Sequence, residues 1–316
     1  LTCTNVKTGT SAGSLLWWYA DMKPFGSVEW VSSSAIGGGY GTTAIAIGEA
    51  MKKEGLLKDY TVTYKTNAPL GLGYFYDQKG RNDLLLITGF AMPGGLATNG
   101  SKLSITTANA VAGVMREAEA FAVPTNSKYK TINDLMADIK ANPKTVAIGG
   151  GNYGGVDHVT VATLAATLGV KALDLNYIPY SGGGSLVPDV IGGRVAVGVS
   201  GTSEFASYVA AGKMRILAVT SPKPLKAIKG KTLVQQGVNL TFGNWRGILA
   251  PADLSAADLL NTLKVMDTLH ASTSWKETLV AKSWIDEYRS GSAFSSWIKT
   301  ENTSIMNVLT DFKLIK

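Results

Sequence analysis

The chain has 316 residues and a mass of 33.2 kDa, is 45% apolar and 17% charged, and carries a formal charge of +7. Its length exceeds that of one usual core, so two domains are expected; no stretch approaches the roughly 18 uninterrupted apolar residues of a membrane helix, and "SLLWWYA" at 14–20 is too short. The 30 Lys and Arg residues are spread along the chain, which argues against a nucleic-acid binder and leaves a mild positive field suited to gathering small anions.

The single cysteine, Cys3, excludes an internal disulfide. "LTC" before the polar "TNVKTGTSAGS" fits either the remnant of a lipoprotein cleavage site, with lipid on Cys3, or a free terminus. No charged-then-apolar leader remains, the pattern expected of a mature form or of a chain never exported.

The elements then run as strand, glycine loop, helix. "SVEWVSSSAI" (27–36) reads as a strand, "GGGYG" as a loop, and "TTAIAIGEAMKKEGLL" as a helix with Ile45, Ile47 and Met51 on its apolar side. "YTVTYKT" alternates as a strand, "DLLLITGF" (83–90) is an unbroken apolar run of the buried parallel kind, and "MPGGL" reads as the loop after it. "EAFAVPT" is a strand, "KTINDLMADIKANP" a helix stopped at Asn142 and Pro143, and "TVAIGG" the next strand. The helix "VDHVTVATLAATLG" follows, then the strand "DLNYIPY", the loop "SGGGS" and the short helix "SLVPDVIGG", with Pro188 in its first turn. "RVAVGVSG", ending near Ser200, and "MRILAVTS" are strands around the helix "SEFASYVAAGK". The proline-spaced Lys223, Lys226, Lys229 and Lys231 read as an exposed loop, and the last 65 or so residues read mainly as helices. The alternation predicts an α/β fold with mostly parallel sheets.

Glycines recur at the carboxyl ends of strands, at 37–39, 94–95, 149–155 and 182–184. That edge of an α/β sheet is where strand ends and helix N-termini converge, and the unpaired N–H groups there favour an anion. Taken together, the four loops, Gly94 included, point to one shared anion site.

Motifs for catalysis are thin. Gly149, Gly151 and Gly154 satisfy G-x-G-x-x-G with Asp174 twenty residues on, so an NAD- or FAD-dependent enzyme is the alternative; however, Asp174 starts the next strand instead of ending it. "LKAIKGKT" has Leu225 in place of the first Walker glycine, and "GVSGT" has Thr202 in place of the last glycine of a nucleophile elbow. His158, in the first turn of the Gly-loop helix, can either donate to a ligand or cap and pack; His270 reads as a surface residue near a helix end. With two histidines and one cysteine, a His- or Cys-rich metal site is excluded by supply.

"GGNYGGVDHVTVATLAATLGV", "YIPYSGGGSLVPDVIGGRVAVGVS" and "AAGKMRILAVTS", in that order, resemble the substrate-binding proteins of tripartite tricarboxylate transporters, the Bug-type extracytoplasmic receptors. "VEWVSSSAIGGGYGTTAIAIGEAM" and "NWRGILAPADLSAADLLNTL" extend the likeness over roughly residues 28–316. The chain departs from the family pattern in having no charge before Glu49 on the first helix, and Gln235 or Gln236 where an acid is usual.

The resemblance implies a two-lobed venus-flytrap receptor of the type II periplasmic-binding class, not an enzyme and without a cofactor. Such a receptor closes on a carboxylate, whether tricarboxylate, dicarboxylate or aromatic acid, and presents it to a membrane permease. By match to the family's loops, Gly38, Gly39 and Tyr40 would serve one lobe, and Gly151, Asn152, Tyr153, Gly154, Tyr180, Ser181 and Gly182 the other. Crossings near Ala122–Thr125 and Trp245–Ala250 would divide the chain into an extension (1–27), a first lobe (28–122 and 248–316) and a second lobe (123–247). The implied protein is monomeric and extracytoplasmic, with Cys3 as its candidate lipid anchor. A partner-binding protein of the same fold, with its cleft filled by side chains, is the third reading.

Overall fold

A computed structural model describes residues 21–180, 183–226 and 228–315; Cys3, Ser181 and Gly182 lie outside them. Two sheets flanked by helices form an α/β architecture. In the first, β1 (Phe25–Ser32) buries Val28, Trp30 and Val31 between parallel neighbours β2 (Leu57–Tyr64) and β3 (Leu84–Gly89). Every residue of β3 is buried, as its unbroken apolar run requires. Helices α1 (Gly39–Lys53) and α2 (Ala68–Asp77) carry the chain between these strands, and the Asn67 side chain caps α2 by accepting from the Leu70 N–H at 2.9 Å.

After β3 the chain enters α3 (Ala91–Thr98) directly, because Phe90 already has helical dihedrals. "MPGGL" is therefore helix where the sequence reading placed a loop. Next, β4 (Asn109–Glu117), a strand that reading passed over, runs into β5 (Glu119–Pro124) of the second sheet. There β6 (Ala147–Gly150), β7 (Asn176–Pro179), β8 (Val197–Gly201) and β9 (Met214–Val219) join it in the order β7-β6-β8-β5-β9. Helices α4 (Ile132–Ala141), α5 (Val156–Ala166), α6 (Gly183–Ile191) and α7 (Thr202–Ala210) follow β5, β6, β7 and β8 in turn. Apolar clusters fill both faces of this sheet, one around Phe121, Leu135 and Leu164, the other around Leu186, Val190 and Phe205.

The chain returns to the first sheet at β10 (Asn244–Ala250), and β11 (Arg289–Ser290) completes the order β11-β4-β10-β3-β1-β2. Both sheets are mixed where mostly parallel ones were expected: β10 is antiparallel to β3 and β4, and β5 to β8 and β9. These strands carry the chain from sheet to sheet without a returning crossover helix, and only parallel neighbours need one.

Helices α8 (Ala256–Ala271), α9 (Thr273–Ala281) and α10 (Gly291–Asp311) close the first sheet. Phe294 of α10 packs edge-on to Trp245, and a Cβ at Gly247 or Gly113 would collide with its ring, so two strand glycines admit the helix. The described end of the N-terminal segment lies on α8, where the Lys23 N–H donates to Asn261 Oδ1 at 2.7 Å.

Candidate ligand-binding site

The carboxyl ends of β1, β6, β7 and β8 converge on a cavity of about 480 Å³ lined from both sheets. On the first-sheet side lie Ser33, Ser34, Gly38, Gly39 and Tyr40 with the cap residue Asn67; on the other lie Gly151, Asn152, Tyr153, Asp157, Tyr180, Ser200 and Gly201. This volume suits a small molecule.

Eight residues singled out in the sequence meet here: Gly38, Gly39, Tyr40, Gly151, Asn152, Tyr153, Tyr180 and Ser200. Gly94, Gly154 and His158 are absent from the lining. A Cβ on Gly94 would strike the Gly154 carbonyl, so the two glycines let α3 and the β6–α5 loop touch backbone to backbone. Gly154 also has a left-handed φ of 73°, which favours glycine whatever its neighbours. His158 is buried, accepts at Nδ1 from the Gly154 N–H at 3.1 Å, and packs against the Tyr177 ring; burial pushes its pKa down to about 4. It caps the loop as a neutral imidazole carrying its proton on Nε2.

The charged groups were missed in the sequence. Arg246 of β10, only 5% exposed, lines the cavity, and neither its Nε nor its Nη1 has a hydrogen-bond partner. Its stem passes Gly89, its guanidinium reaches the first residue of α1, where a Cβ on Gly39 would collide with Nη2, and it lies 5.2 Å from the centre of the Tyr40 ring. The signal for it was one basic residue in the apolar strand "NWRGILA". Among the lining residues it is the sole cation, against Glu117, Asp157 and Glu204.

Two of those acids hold backbone N–H groups, one in the loop after β6 and one in the first turn of α7. The Gly151 N–H donates to Asp157 Oδ2 at 2.7 Å, and the Ser203 N–H to Glu117 Oε1 at 3.0 Å, with the Ser203 hydroxyl donating to the same oxygen. Behind them Glu119 is fully buried. Burial, then the neighbouring Asp157 and Glu117, push its pKa well above the usual carboxylate range, so it keeps a proton that it can share with Asp157. "REAEA" carried the signal, as acids two apart within an apolar run.

The dinucleotide geometry does not assemble. Asp174 precedes β7, whereas Gly151 follows β6, and the two strands are parallel, so the acid and the glycine loop lie at opposite ends of the sheet. A Cβ on Gly149 would meet Leu186 and Tyr180, so that glycine serves packing.

A family profile described as a tripartite tricarboxylate transporter family receptor matches residues 99–289. A UPF0065 protein of Agrobacterium vitis is 29% identical over 129 residues, 40% of this chain but only 36% of that protein, so the chain matches little more than a third of its relative's length. The periplasmic binding protein BugD superposes with a TM-score of 0.80 at 19% identity, over 93% of this chain and 100% of that one. MatC from Rhodopseudomonas palustris, with bound malate, gives 0.76 at 15% identity over 91% and 100%.

Proposed function

Since the chain belongs to the tripartite tricarboxylate transporter family of receptors, we propose that it is an extracytoplasmic solute-binding protein that captures a small carboxylate and delivers it to a tripartite tricarboxylate-type permease. One observation carries this reading: a buried arginine with two unpaired N–H-bearing nitrogens faces a small-molecule cavity beside an uncapped helix N-terminus. A desolvated guanidinium with unpartnered donors is strongly favourable to a carboxylate. At Gly38 no side chain caps α1, and no acid occupies its first turn, so the helix end adds to the same field. The bound malate of MatC and the family assignment support the ligand class.

The two lobes would be the two sheets with their helices, with crossings at Ala118 and between Val219 and Asn244. A ligand touching both walls favours the closed arrangement over the open one, and that difference is what a permease can read. Among the described residues no helix is long and apolar enough to cross a membrane; the membrane partner in this reading is the one the family implies.

A thermal-shift screen against some hundred small acids, their amides, NAD and FAD tests this reading. A ligand at 100 times its Kd adds about 2.7 kcal/mol of stability, which a melting curve resolves. Stabilisation by an acid but not by its amide is expected; a response confined to NAD or FAD would overturn the reading.

A further inference from the structure

The buried charges gather where the chain changes sheet. Glu117 ends β4 and Glu119 begins β5, with Ala118 between them as the crossing. Arg246 returns on β10, two residues after Asn244, the strand partner of Glu117. Asp157 reaches the same place from the first turn of α5. Glu119 has no exposed surface, and among the described residues no N–H or hydroxyl serves either of its carboxyl oxygens. A buried carboxyl left without donors is far cheaper to keep neutral than charged. The groups that bear on Glu119 and Asp157 are Glu117 from β4, Arg246 from β10 and the neutral Tyr177 from β7, whose hydroxyl donates to the Gly151 carbonyl. Glu204 of α7 lines the cavity beyond them. Arg246 is the one cation of this group.

Without ligand, that single cation stands against ionised Asp157 and Glu117, and the proton on Glu119 removes a third negative charge. A carboxylate held by Arg246 adds an anion to the same buried cluster and takes up the field that had been steadying the acids. Crowded, poorly solvated acids respond by holding protons more firmly, and the proton gained cancels the charge that arrived. We propose that the protein binds its carboxylate together with a proton, and that Glu119 and Asp157 form the proton site. This site rests on the carboxylate-receptor reading and adds a second ligand to it. Arg246 belongs to the first sheet and the acid pair to the second, so proton and carboxylate act on each other across the crossing. Linkage gives the sign. The protonated pair is the form that favours an anion, so affinity is full at low pH and falls as pH rises through the titration of the pair, by at most about tenfold per pH unit for one proton.

Calorimetric titration with malate, succinate, adipate and benzoate from pH 6.5 to 9.5, where these acids stay ionised, tests it. The Kd of an acid that binds should rise about threefold or more over that range, and near pH 8 its binding heat should differ between phosphate and Tris buffers in the sense of proton uptake. In Glu119→Gln, fixed in the neutral form, the Kd should change less than threefold. Carboxyl-carbon NMR of the parent reads the site without a variant: the Glu119 or Asp157 signal should move towards its protonated position when the acid is added. A Kd that changes less than threefold in the parent, with equal heats in the two buffers, would overturn the proton site while leaving a carboxylate receptor. Binding of none of the four acids would overturn the carboxylate reading together with it. A pH dependence unchanged in Glu119→Gln, with both carboxyl signals unmoved in the parent, would overturn the assignment to this pair.

Discussion

Replacing Arg246 with methionine separates binding from folding. Methionine retains much of the stem that passes Gly89 and removes the guanidinium. The two unpaired nitrogens, Nε and Nη1, lie on different edges of the guanidinium, so a carboxylate accepts from one of them, a charge-assisted hydrogen bond of about 1.5–3 kcal/mol. Water recovers part of that in the variant, and truncating one partner of a buried charge pair costs about 2–5 kcal/mol. The Kd should therefore rise about 30-fold to 4,000-fold. In the ligand-free protein two opposing effects nearly cancel: unsatisfied buried donors disappear, but Glu119 and Asp157 lose a compensating charge. A net change within about 2 kcal/mol, spread over 316 residues at about 2.1 cal/mol/K each, moves Tm by about 3 °C or less. Titration calorimetry with the tightest acid from the screen, and melting curves without ligand, read the two quantities. An affinity within threefold of the parent would refute the role of the guanidinium. A ligand-free Tm lower by more than about 10 °C, several times that allowance, would make Arg246 a structural strut instead.

Gly39→Ala places a methyl group against Arg246 Nη2 without changing any charge, so it should weaken binding roughly tenfold by displacing the guanidinium, about 1.4 kcal/mol; unaltered affinity would mean that the guanidinium sits elsewhere when ligand is bound. Glu119 is raised in the folded state, so its stabilising proton is fully held below the ordinary carboxylate range and is given up as pH rises through the folded value. Glu119→Gln needs no proton, and its Tm should gain on the parent steadily from pH 5 to 9; a variant less stable at every pH would refute this. His158 runs the other way: burial holds it near 4 while an unfolded histidine titrates near 6.5, so up to about 3 kcal/mol is lost as pH falls between those values. His158→Asn, which keeps an acceptor for the Gly154 N–H, should flatten that slope in the difference from the parent.

Local patterns carried far in the chain. The period-two and unbroken apolar runs of β1, β2 and β3 fixed their strand character, Asn142 and Pro143 ended α4, and the glycines at 37–39 and 149–155 marked the edge on which the cavity opens. Each depends only on neighbours along the chain, through dihedral freedom, capping or side-chain alternation. The charges of the site could not be placed in that way. Arg246 reaches Gly39 because β10 inserts antiparallel between β3 and β4, and Glu117 meets Ser203 because the chain changes sheet one residue later. Gly94 and Gly154 looked like ligand loops and are instead a contact between α3 and the β6–α5 loop. The sequence by itself determined the class of fold, the family likeness and the glycine-lined edge. Only the tertiary structure decided which side chains face each other across the cavity, because strand order and the sheet-to-sheet crossings join residues about 130 positions apart, whose meeting no local pattern specifies.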